Sequence, residues 1–108
     1  DIHSTYNATF AQAVLGDEVE VNTIVGIMKL KIPPGTQAQT VMRLKGKGMP
    51  HLQHHGSGDH YVVIHIETPK NLTPDERTVL EYFSALRKEK GTAGKIDPLR
   101  EKIRKIVK

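Results

Sequence analysis

Apolar and polar residues alternate along the first part of the chain, and later recur every three or four positions. Glu18-Val19-Glu20-Val21-Asn22 alternates one for one, the period of a strand with one face buried and one wet. Ile27 to Ile32 repeats the pattern, with Met28, Leu30 and Ile32 predicted inward and Lys29 and Lys31 outward. Gly26 permits a tight turn between the two runs. Pro33-Pro34-Gly35 ends the second run, because proline cannot donate to a strand ladder. Val41 to Lys45 is a third alternating run. In His60 to Glu67, Val62, Ile64 and Ile66 share one face, and Tyr61, Val63 and His65 share the other. Both faces are partly apolar, which predicts a central strand. Ile2 to Phe10 holds Thr, Tyr and Phe and predicts a further strand. Phe10 to Leu15 is Ala-containing and runs into Gly16, so one short helical turn is expected there.

The period changes after residue 72. Thr73-Pro74-Asp75-Glu76 is a helix start: Thr73 caps, Pro74 takes the first helical position, and Glu76 completes a capping box. Val79, Leu80, Phe83 and Leu86 then form one apolar stripe. Gly91 is expected to stop this helix, and Gly91-Thr92-Ala93-Gly94 reads as a linker. Asp97-Pro98 opens a second short helix. It carries Leu99, Ile103, Ile106 and Val107 on one side and basic residues on the other.

Composition narrows the classes. The 108 residues suffice for one small domain. Without Trp, and with two Phe and three Tyr, the core must come from aliphatic side chains and Met. The absence of Cys excludes disulfides, thiolate metal sites and Cys nucleophiles, and fits a reducing compartment. No apolar run approaches the roughly 20 residues of a membrane span, and the first ten residues do not read as a signal peptide. The net charge of +4 is concentrated after Arg87. Such a basic tail fits nucleic acid or an anionic surface, and equally the wet face of a helix.

Candidate chemistry is sparse. Gly46-Lys47-Gly48 lacks the remainder of a phosphate-binding loop. His51, His54, His55 and His60 are close in sequence, but Asp59 is the only acid beside them, and no metal is expected. Ser57, Asp59 and His60 are sequence neighbours, and a catalytic triad is set by geometry in space. Asp17-Glu18 reads as a solvated strand start, and Asp75-Glu76 as acids favouring a helix N-terminus. No catalytic residue, cofactor or enzyme activity is expected.

The runs Leu30 to Gln37, Arg43 to Pro50 and Gly56 to Val62, in that order, resemble segments of the C-terminal domains of the DnaJ-type (J-domain) co-chaperone family. Leu30-Lys31-Ile32-Pro33-Pro34-Gly35-Thr36-Gln37 is similar to that family's strand and turn. Arg43-Leu44-Lys45-Gly46-Lys47-Gly48-Met49-Pro50 resembles its RLxGKGxP segment, and Gly56-Ser57-Gly58-Asp59-His60-Tyr61-Val62 its GxGDxxV segment. Ala13-Val14-Leu15-Gly16 is similar to its AxLG turn, and Thr68-Pro69 with Leu72-Thr73 to its entry into the final helix. These cover about residues 1–90; residues 95–108 match no named segment. The chain has no His-Pro-Asp tripeptide on a helix pair and no CxxCxGxG repeat. The resemblance therefore implies the second of two C-terminal β-domains together with a dimerisation segment. The implied fold is mostly β: a small two-sheet β-sandwich with one short helix, followed by C-terminal helices.

The expected organisation is a β-sandwich peptide-binding domain over residues 1–70 and a helical dimerisation segment over 71–108. The resemblance implies a cytoplasmic stress-response protein that binds unfolded polypeptides and passes them to a DnaK-type chaperone. An extended client can add to an open strand edge while its side chains enter apolar pockets. The candidates for that groove are Tyr6, Ala8 and Phe10, with Val19 and Val21 opposite and Val14 and Leu15 as floor. The candidates for the homodimer contact are Leu80, Phe83 and Leu86 with Tyr82 at the rim, then Leu99, Ile103 and Ile106. The alternatives are a pure dimerisation or spacer module, or nucleic-acid binding through the basic tail, for which the β-domain shows no stacking platform. Neither nucleic acid nor a membrane is expected as a partner.

Overall fold

A computed structural model describes residues 1–45 and 58–107. The chain forms two compact units, Asp1–Pro69 and Lys70–Lys108.

The first unit holds five strands and one short helix: β1 (Ile2–Thr9), α1 (Phe10–Leu15), β2 (Asp17–Thr23), β3 (Gly26–Ile32), β4 (Thr40–Leu44) and β5 (His60–Glu67). One sheet has the order β1-β5-β4, and the other is the β2-β3 hairpin. Strand β5 is central, as its two-sided apolar pattern predicts, with β1 parallel to it and β4 antiparallel. The architecture is the expected mostly-β, two-sheet sandwich with helices.

The alternating residues meet between the sheets. Ala8, Val19, Val21, Leu30, Ile32, Val62 and Ile64 form one buried cluster, and Tyr6, Met28, Met42, Leu44 and Ile66 pack against it half-buried. Met28, Leu30 and Ile32 face inward and Lys29 and Lys31 outward, as the period requires. On the opposite face of the three-stranded sheet, His3 and Tyr61 sit side by side in register and their rings stack 5.1 Å apart.

Two segments of the familial pattern are joined by hydrogen bonds. Thr9 caps α1, with reciprocal bonds between Thr9 and Gln12. The helix ends at Gly16, whose φ of 82° suits glycine. The turn after β3 closes onto it: Gly35 N–H donates to the Val14 carbonyl and Thr36 N–H to the Ala13 carbonyl. These bonds satisfy two carbonyls that a helix end leaves without partners.

The second unit holds α2 (Pro74–Leu86) and α3 (Ile96–Ile106). The Thr73 capping box forms as expected, with Pro74 in the first turn. Helix α2 ends at Leu86, earlier than the expected stop at Gly91. Arg87 closes the helix and Lys88 adopts a positive φ of 56°. The turn is then tied by side chains: the Ser84 hydroxyl bonds both Glu89 and the buried Thr92 hydroxyl. Bonds among the Ser84, Glu89 and Thr92 side chains, with one from Thr92 to the Glu89 carbonyl, thus hold the turn that follows the helix before any glycine is reached. Val107 lies beyond α3 and is exposed.

Candidate functional site

Strands β1 and β2 are each the last strand of their sheet, paired on one side only among the described residues. β3 and β4 are edge strands as well, so four open edges are left among the described residues of this unit, and the edge strands β1 and β2 are the pair whose residues border one depression. That depression, of about 280 Å³, is lined by Ser4, Thr5 and Tyr6 from β1, Glu20, Val21 and Asn22 from β2, and Val62 from β5. Its volume falls at the lower limit of the roughly 300–1,000 Å³ typical of small-molecule sites. It suits a side chain of an extended chain better than an enclosed ligand.

The seven residues expected to form a peptide groove separate into three groups. Tyr6 and Val21 line this depression. Ala8, Val19 and Val21 belong to the buried core, each less than a tenth exposed, so Val21 contributes a wall and Ala8 and Val19 serve as packing. Phe10, Val14 and Leu15 are exposed on or beside α1. Leu15, 74 % exposed, lines a second depression of about 230 Å³ with Gly16, Asp17, Glu18, Lys31, Ile32 and Pro34. The structure thus brings Tyr6 and Val21 together and sets Leu15 at a different place. Choosing apolar positions alone missed Ser4, Thr5, Glu20 and Asn22. The same alternation carries the signal for them, since the polar residues of an edge strand border whatever pairs with it.

One polar contact holds the base of β1 to β5. His60 is buried, and its Nε2 lies 2.6 Å from the Ser4 hydroxyl. Its Nδ1 is also buried and has no hydrogen-bond partner among the described residues. Asp59, just before β5, bonds Arg43 of β4, and its N–H donates to the Asp1 carboxylate. His60 and Asp59 therefore serve the packing of the three-stranded sheet. His51, His54, His55 and Ser57 lie outside the described residues, as does the Gly46-Lys47-Gly48 segment. Among the described residues no group of three metal-ligating side chains converges.

The second unit presents its own candidates. On α2, Val79, Phe83 and Leu86 are exposed at 46 %, 40 % and 52 %, and Leu80 and Tyr82 are half-buried. Arg87 caps this surface with its guanidinium 5.7 Å from the Phe83 ring centre. On α3, Leu99 is buried, while Ile103 and Ile106 are half-buried. Tyr82 faces Arg100 of α3, and its side chain together with Asp97 and Glu101 holds that guanidinium above its ordinary value. Tyr82 is thus engaged within the helix pair as well as lying near the exposed stripe.

The arrangement is a two-sheet β-sandwich with open strand edges and a separate helical unit, and comparison with known proteins shows its family. The profile of the DnaJ C terminal domain matches residues 1–69. The chain is 44 % identical to the chaperone protein DnaJ of Geobacillus thermodenitrificans over 108 residues, all of this chain and 28 % of that protein. It is 45 % identical to that of Shouchella clausii over 103 residues, 93 % of this chain and 28 % of the relative. With the Limosilactobacillus reuteri protein the identity is 49 % over 84 residues, 78 % of this chain and 22 % of the relative. The chain belongs to the DnaJ C-terminal domain family. It spans about a quarter of the length of the relatives it matches. No helix among the described residues is long and apolar enough to cross a membrane.

Proposed function

We propose that this chain is the polypeptide-binding and self-associating part of a J-domain co-chaperone, the second of its C-terminal β-domains. It has no catalytic role. Unfolded client segments bind in extended form between β1 and β2, and the parent protein passes them to a DnaK-type chaperone. The observation that carries this reading is the pair of open strand edges flanking a shallow cleft lined by Tyr6, Val21 and Val62. Main-chain pairing with an edge reads no sequence, and the cleft adds affinity for an apolar side chain. That combination suits a protein with many clients.

The test is an NMR titration of the chain with an unfolded apolar peptide and with its N-methylated counterpart. The unmodified peptide should shift Ser4–Tyr6 and Glu20–Asn22. The N-methylated one keeps the side chains but lacks the donors, and should lose most of the binding. Absence of shifts at millimolar peptide would reject the groove and leave a dimerisation or spacer module.

Self-association is assigned to the exposed stripe of α2. Two weak grooves held in one dimer grip one long client more strongly than either alone.

A further inference from the structure

We infer that the groove between β1 and β2 favours client segments in which Lys or Arg stands next to the apolar residue that enters it, with Glu20 selecting that neighbour. The inference rests on the polypeptide-binding reading above and adds the chemistry of the client. Three observations support it. Glu20 is the one charged side chain among the described residues lining the cleft. In the β2-β3 register Lys29 stands opposite Glu20. Yet the Lys29 ammonium lies 3.5 Å from the carboxylate of Glu18, diagonally across the hairpin. Diagonal neighbours are within reach of long side chains. Glu20 is left exposed, with no ion pair or hydrogen bond among the described residues.

Strand geometry converts this free carboxylate into a rule for the client. In an extended chain lying along β2, successive side chains turn to opposite faces. A client residue beside Val21 turns inward toward Tyr6 and Val62. Its immediate neighbour lies beside Glu20 and turns to the outer face. A cation there meets the unpaired carboxylate, whereas an anion is repelled. Opposite charges facing each other across strands attract, and like charges destabilise the pair. The contact is solvated, so the preference is modest and weakened by salt.

Fluorescence anisotropy tests this with three labelled peptides that differ only at the core, Lys-Leu-Lys, Gln-Leu-Gln and Glu-Leu-Glu. Each is titrated with the wild-type chain, Glu20→Gln and Glu20→Lys. At low salt the Lys peptide should bind the wild type about two- to five-fold more tightly than the Gln peptide, with the Glu peptide weakest. Glu20→Gln should bring the three affinities together, and Glu20→Lys should reverse their order. Equal affinities for the wild type would overturn the preference and leave groove binding intact. The wild-type order persisting in Glu20→Gln would also overturn it, because the selectivity would then reside elsewhere. Failure of all three peptides to bind the wild type would reject both the groove and the preference.

Discussion

At the residue scale, Ser4 and Gly16 are each constrained by their immediate surroundings. Ser4 sits on the inward face of β1, where its neighbours Tyr6 and Ala8 are packing residues. Its hydroxyl makes the one hydrogen bond of the buried His60 ring among the described residues. Ser4→Ala would leave both ring nitrogens unsatisfied in the core, and should destabilise the sandwich by about 1–3 kcal/mol in chemical denaturation. The sequence shows Ser4 only as a small polar residue in a strand; its bond to a residue on β5 depends on the parallel pairing. Gly16 combines a positive φ with crowding. A Cβ there would lie 2.9 Å from both the Cδ and the backbone nitrogen of Pro34. Gly16→Ala is expected to cost about 1–3 kcal/mol from backbone strain, before any shift of Pro34 is counted. A cost below about 0.5 kcal/mol in a urea melt would show that the turn is not held as described.

At the element scale, helix α2 shows a local signal that tertiary context did not alter. Thr73, Pro74 and Glu76 specify its start in the sequence, and the structure forms both bonds of the capping box. Its end was less legible, because the turn that follows is held by side-chain bonds involving Ser84, Glu89 and Thr92 rather than by a glycine. Hydrogen bonds from Thr73 hold the Glu76 carboxyl below its ordinary value of 4.5. A carboxyl lowered on folding stabilises the folded form fully above its unfolded value, and that stabilisation disappears as pH falls through the lowered value. The first turn of α2 should therefore fray in acid, below pH 4.5, and stay intact at neutral pH. Amide exchange at Glu76 and Arg77 checks this. Thr73→Ala should cost about 1 kcal/mol of helix stability and keep much of that acid dependence, because the backbone N–H of residue 73, the larger cause of the lowering, is retained.

At the scale of the whole molecule, the stripe Val79, Phe83 and Leu86 has an ordinary helical period, and the sequence alone leaves its partner open. The structure leaves these three side chains exposed and buries Leu99 instead. The self-association reading therefore places the contact on α2 and assigns Leu99 to packing within the helix pair. Phe83→Asp combined with Leu86→Asp should convert a dimer to a monomer in sedimentation equilibrium without loss of helix content. A monomeric wild type at high micromolar concentration would reject self-association through this chain alone.

The sequence by itself determined the strands, the short helix before Gly16, the capped start of α2 and the family. Each of these is local, written in a period of two or of three to four residues, in a cap, or in a short motif. It also contained Tyr6 and Val21, but not the fact that they border one cleft. That followed from which strands became the edges of the two sheets. Pairing of β1 with β5 joins residues more than fifty positions apart, and no short-range pattern specifies such a partner. For the same reason Ala8 and Val19 could not be told from groove residues in sequence. Alternation marks which side of a strand is apolar, and only the packing of one sheet on the other decides whether that side is covered.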